Sequence, residues 1–140
     1  MSIEIKISED CAKRKSEERS DHVDLGTRGE NAACDFLIAH GMDILERNWR
    51  CPAGEVDIIA KSPGALHFVE VKTRRGTGSG FPEEAVDSRK RHRYECIAEY
   101  YLRDYETTDI AVRFDVVAIV VTAPDRGFLR FEPNAFYVGC

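Results

Sequence analysis

GEVDIIAKSPGALHFVEVKT, residues 54–73, is the stretch on which the fold turns. Glu55 to Lys61 and Leu66 to Thr73 are each rich in Val, Ile and Phe, and Ser62-Pro63-Gly64-Ala65 between them is a turn signal. The two runs should pair as an antiparallel hairpin. With the turn centred between Pro63 and Gly64, Ser62 faces Ala65, Lys61 faces Leu66, and Asp57 faces Glu70. Directly opposed residues on one face have Cβ atoms about 5 Å apart. Two carboxylates so placed can share one hard divalent cation, whose oxygen ligands sit at about 2.0–2.5 Å. Lys72, two residues beyond Glu70, falls on the same face. Val56, Ile58, Val69 and Val71 fall on the other, which can pack on a core. Pro63 cannot take the positive φ of a type I′ turn, so a four-residue loop about the same centre is expected rather than a two-residue one. A bulge of one residue would turn Asp57 away from Glu70.

Working outward, Asp24 to His40 carries Leu25, Ala32, Ala33, Phe36, Leu37 and Ala39 at helical spacing, with Gly41 as its stop. Met42 to Arg50 reads as a strand. Arg74 to Gly80 (RRGTGSG) is a glycine-rich loop that matches no phosphate-binding fingerprint. Pro82 suits the first turn of a long helix running to about Tyr105, with Val86, Ile97, Ala98, Tyr101 and Leu102 inward. Val112 to Thr122 is a β-branched strand, and Phe128 to Phe131 a short final one. The order is helix, three strands, helix, two strands. Residues 1–20, dense in charge and Ser, read as a flexible N-terminal tail, and residues 21–140 as one domain.

A hydrophobic fraction of 43% with 32% charged residues fits a soluble globular chain. No apolar run approaches the roughly 20 residues that cross a bilayer, and the N-terminus lacks a signal-peptide layout, so the expected location is the cytoplasm, away from membranes. Five cysteines with no close C-x-x-C pair argue against a disulfide framework or a structural zinc site. The formal charge is −5, yet Lys72 to Arg93 holds seven Lys or Arg against three acids. That zone carries +4 and the remainder −9. A basic zone starting at the acid-bearing strand suits a phosphate backbone, with Arg74, Arg75, Arg89, Lys90, Arg91 and Arg93 as its candidate contacts. The plainer reading of Arg89 to Arg93 is a solvated helix face.

Glu30 lies on the first helix in line with Ala33, Cys34 and Leu37, a carboxylate beside a small apolar face. It either reaches toward the metal or pairs with Arg28 or Arg47. A divalent cation on Asp57 and Glu70, with the Val71 carbonyl as a further ligand, would polarise a phosphodiester and acidify a bound water. Lys72 would orient that water and offset phosphoryl charge. Lys90 shares a stripe with Val86, Tyr94 and Ile97 and either assists or snorkels. Asp115, in a central-looking strand, is expected to be satisfied by Arg113 or by backbone, and no Ser/His/Asp arrangement is legible.

The segments GTRGENAACDFLIAHGMDILERNWR (26–50), GEVDIIA (54–60), FVEVKTR (68–74), AEYYL (98–102) and RFDVVAI (113–119) together resemble the YraN-type protein family, a branch of the restriction-endonuclease-like PD-(D/E)xK nucleases. The resemblance runs from about Leu25 to Phe136. It implies a three-layer α/β/α domain with a mixed, roughly five-stranded central sheet. It also implies active-site positions at Glu30, Asp57, Glu70 and Lys72, with Lys90 accessory, and Mg²⁺ or Mn²⁺ as cofactor. Nucleic acid, DNA in particular, is the implied substrate; similarity to archaeal Holliday-junction resolvases within the superfamily makes branched DNA one implied form and a homodimer one implied assembly. Val56 stands where the superfamily name has Pro. The function expected is metal-dependent phosphodiester hydrolysis, and the alternative is a non-enzymatic nucleic-acid-binding accessory protein using the same groove.

Overall fold

The central hairpin forms about the expected centre. In the computed structural model, which describes residues 2–7, 21–76, 88–105 and 109–135, β3 (Gly54–Ser62) pairs antiparallel with β4 (Ala65–Arg75) from Ser62↔Ala65 to Ile58↔Val69. The connection is the two-residue Pro63-Gly64, not a longer loop. Pro63 suits the first central position of a type II turn, and Gly64 supplies the positive φ (79°) that the second requires.

Two more strands come from the amino-terminal half, β1 (Ser2–Lys6) and β2 (Asp43–Cys51), with helix α1 (Asp21–Ala39) between them. After β4 follow α2 (Ser88–Leu102), β5 (Ala111–Ala123) and β6 (Arg126–Glu132). The sheet order is β1-β6-β5-β4-β3-β2, six strands where about five were expected. The additional strand lies inside the segment read as a flexible tail. Ile3, Ile5 and Ile7 alternate with Glu4 and Lys6, a strand pattern that the high charge of the segment masks. Ser2 to Lys6 pair antiparallel with β6, and Ile7 is 1% exposed in the core. The start of the long helix at Pro82 and the later part of the glycine-rich loop lie outside the described residues.

β4 and β5 run parallel, Ala65↔Ala111 through Arg75↔Val121, and the chain between them carries α2. Covering helices explain why β4 and β5 are apolar on both faces. On one face Leu25, Ala33 and Leu37 of α1 pack against Ile58, Ala60, Val69, Val117 and Ile119. On the other, Tyr94, Ile97 and Ala98 of α2 pack against Val56, Ile59, Leu66 and Phe68. The result is the three-layer α/β/α arrangement. α1 ends where Gly41 adopts φ 87° and Met42 N–H donates to the Leu37 carbonyl at 3.0 Å, a Schellman-type stop.

α1 approaches β4 closely at Gly29, where a Cβ would fall 1.9 Å from Thr73 Oγ1. A side chain here has nowhere to go unless the helix moves. Gly29→Ala should lower stability by about 1–3 kcal/mol through overpacking, and Thr73→Gly in the same chain should restore much of it. Urea denaturation of the single and double variants measures both; additive losses would mean the contact is not the cause.

A buried polar chain ties the hairpin to β5. Ser62 Oγ lies 2.7 Å from His67 Nε2, and His67 Nδ1 lies 2.6 Å from Asp115 Oδ2. Asp115, fully buried, also accepts the Asn134 backbone N–H at 2.8 Å. His67 and backbone, rather than Arg113, thus satisfy this acid. The partner lies 48 residues away, so local sequence offers no signal for it. Cys34, Cys51 and Cys96 are unpaired thiols, and no helix among the described residues is long and apolar enough to cross a membrane.

Candidate active site

The β3–β4 ladder stops at Ile58↔Val69, one step before Asp57 and Glu70 would face each other. Beyond it the Asp57 carboxylate itself takes over the pairing, its Oδ2 accepting the Val71 backbone N–H at 2.8 Å. On the other flank, Asn48 sits in the left-handed region (φ 49°), and the β2–β3 ladder runs from Arg47↔Ile58 to Trp49↔Val56 around it. The irregularity shows in the core. Ile58 packs on the α1 side and Val56 on the α2 side, so these two valence neighbours of Asp57 do not share the single apolar face that strict alternation implies. Asp57 is therefore held where strands diverge.

Glu70 is buried, 8% exposed, and faces α2. Its Oε2 lies 2.7 Å from Lys90 Nζ, and its Oε1 lies 3.5 Å from Lys72 Nζ. The Lys90 contact is an ion contact lying off hydrogen-bond alignment. Lys90 is itself buried at 8%, so this lysine is drawn inward to a charge rather than snorkelling to solvent. Glu30 comes from α1. Its Oε2 accepts from Asn48 Nδ2 at 3.2 Å and lies 3.8 Å from Arg47. Arg28, the other partner considered for it, points away and donates to the Pro124 carbonyl.

The charges meet at Asp57. Burial is the main cause that pushes its carboxyl up to about 6; the Val71 N–H works against this, and the charges of Glu30, Glu70 and Glu55 add to it. Burial and the nearby Glu70 also hold the Tyr94 phenol neutral, well above its ordinary range.

Among the described residues no group of three or more His, Cys, Asp or Glu is gathered closely enough to hold a metal ion. The donor set still fits a hard divalent ion of the Mg²⁺ type, which keeps several waters and takes only one or two protein carboxylates. Asp57 bears negative charge in a site that resists it, and its second oxygen is not taken by Val71. Asp57 and Glu70 would be the direct ligands, with Glu30 acting through water and the Val71 carbonyl available.

The proposed phosphate contacts divide between two places. Arg74 and Arg75 close β4, whereas Arg89, Arg91 and Arg93 lie on α2, where Arg89 and Arg93 are exposed and Arg91 is half-buried. Arg93 lies over Gly54, whose φ of 143° and missing Cβ let its stem approach.

A six-stranded mixed sheet thus lies between two helices, with Asp57, Glu70, Lys72 and Lys90 near the point where β3 and β4 stop pairing. The chain belongs to the uncharacterised protein family UPF0102, whose profile matches residues 29–119, and that family lies within the restriction-endonuclease-like superfamily. The UPF0102 protein of Rhodococcus jostii (strain RHA1) is 50% identical over 112 residues, covering 80% of this chain and 95% of the relative. That of Caldicellulosiruptor saccharolyticus is 45% identical over 114 residues, covering 81% and 97%. Among solved structures, SfsA of Pyrococcus furiosus in complex with Ca²⁺ aligns with a TM-score of 0.42 and 14% identity, over 80% of this chain and 64% of that one.

Proposed function

We propose that this protein is a Mg²⁺- or Mn²⁺-dependent nuclease acting on DNA. The observation that carries the reading is the Asp57 carboxyl, held between diverging strands among the charges of Glu30 and Glu70, with Lys72 beside Glu70. A divalent ion bound here would supply Lewis acidity toward a phosphodiester and lower the pKa of a water. The chain's own groups do the rest. The Val71 N–H fixes Asp57, and Lys90 fixes Glu70 from beneath. Lys72, less buried than Lys90, offsets charge on the phosphoryl group and orients the attacking water.

The second reading, an accessory protein that binds DNA without cutting it, is favoured by the two lysines on Glu70, which lower the negative charge a phosphate would meet. Lys72→Ala separates the two. It leaves both carboxylates in place, so cleavage of linear, flapped or four-way DNA with Mg²⁺ or Mn²⁺ should fall about a hundredfold while DNA binding persists. If wild type cuts none of these with either metal yet binds them, the accessory reading replaces the nuclease.

A further inference from the structure

Three consecutive residues of α1 fan out across the sheet. Gly29 rests on Thr73 of β4, Glu30 reaches Asn48 of β2, and Arg28 reaches the opposite way to the Pro124 carbonyl in the β5–β6 turn. Arg28 is thereby brought to a cavity of about 380 Å³ that its neighbours do not fill. The cavity lies at the carboxyl ends of the parallel strands β4 and β5, lined by Arg28, Arg75, Gly76 and the chain from Val121 to Pro124. In open α/β sheets that end is where ligands bind.

Among the described residues the lining contains two guanidinium groups and no carboxylate. Arg28 is anchored by one η nitrogen, and its Nε is buried without an acceptor, a donor that a folded protein ordinarily satisfies. Arg75 is exposed and makes no ion pair among the described residues. Guanidinium forks match phosphate oxygens in geometry and charge.

We propose that this cavity is a phosphate site for the nucleic-acid strand, separate from the acids of the candidate active site. It rests on the nuclease reading and extends it. Lys72 and Arg75 are three residues apart on β4, about 10 Å at strand rise, and of opposite parity, so Lys72 leaves the sheet on the side of Glu70 and Arg75 on the side of Thr73 and α1. A strand that passes from the acids around the carboxyl end of β4 seats a further phosphate between Arg28 and Arg75. Such a contact fixes the register of the strand without reading its sequence.

The test uses the full-length protein with inorganic phosphate and with DNA. Titrating phosphate while recording the arginine Nε–H NMR signals should shift the Arg28 and Arg75 signals saturably, and Arg75→Gln should abolish the response at Arg28. By fluorescence anisotropy, Arg75→Gln should weaken DNA binding about tenfold and reduce the log–log salt slope by about one. Arg28→Gln should do the same, and Arg75, exposed at a strand end, covers the case in which Arg28→Gln disturbs the β5–β6 turn. No saturable shift, or DNA affinity unchanged in Arg75→Gln, overturns the cavity site and leaves the nuclease reading standing. Phosphate seated at both arginines in a protein that binds no DNA upholds an anion site and overturns nucleic acid as its ligand.

Discussion

Asp57→Asn is expected to make the metal-free protein more heat-stable at pH 7.5 while lowering DNA cleavage about a thousandfold. The stability half follows from the raised carboxyl. Its folded-state value of about 6 lies above the ordinary 3.8, so the folded protein holds this proton more tightly than the unfolded chain does. As pH rises from about 4 through 6 the proton is lost, and folding is progressively disfavoured; above that window the full penalty remains. Discounted for the solvent that reaches a half-buried group, it is about 1–2 kcal/mol, worth about 4 °C or more in Tm. Asparagine removes the charge and keeps an oxygen for the Val71 N–H. The gain should shrink toward zero as the pH is brought down to 4.

The activity half follows from the loss of a ligand. If metal assistance supplies about 4 kcal/mol of transition-state stabilisation, its loss is about a thousandfold in rate. Mn²⁺ should raise the Tm of wild type, because it binds only the folded state, and should leave Asp57→Asn unmoved. Melting curves in EDTA and in Mn²⁺, at pH 4 and 7.5, separate the two effects. A variant less stable than wild type in EDTA at pH 7.5 would show that Asp57 is not electrostatically strained, and the argument for a cation there would lose its support.

The hairpin was legible because its information is local: β-branched runs, Pro63-Gly64 and the parity of side chains. Parity then failed at Asp57, for a reason no local pattern contains. Asn48, on a neighbouring strand, takes a left-handed conformation, and Asp57 gives its side chain to the Val71 N–H, so the ladder ends one pair early. Lys90 was legible as a member of an apolar stripe, but its burial against Glu70 depends on α2 crossing β4, which periodicity cannot convey. The strand at Ser2 to Lys6 sits in a segment whose charge is that of a solvated tail, and its isoleucines become a strand face only through pairing with β6, 120 or more positions away. The cavity at Arg28 and Arg75 joins residues 47 positions apart and required the packing of Gly29 on Thr73 before it existed.

Asp115, fully buried, should give the largest loss of stability on truncation. Asp115→Ala should cost about 3–5 kcal/mol, the range for removing one partner of a buried charged contact. Both of its oxygens are engaged, one by His67 Nδ1 at 2.6 Å and the other by the Asn134 N–H at 2.8 Å, and the site is closed to water. Truncation leaves a buried imidazole and a backbone N–H without acceptors, together with a small void. Asp115→Asn keeps a single oxygen and can serve only one of the two donors, so it should fall between alanine and wild type. Ser62→Ala, at the less buried end of the chain, should cost about 1 kcal/mol. Since a domain of this size holds only about 5–15 kcal/mol in total, Asp115→Ala should bring the urea midpoint down sharply with the slope m unchanged. A loss in Asp115→Ala no greater than that in Ser62→Ala would show that the chain from Ser62 to Asp115 is not what binds the hairpin to β5.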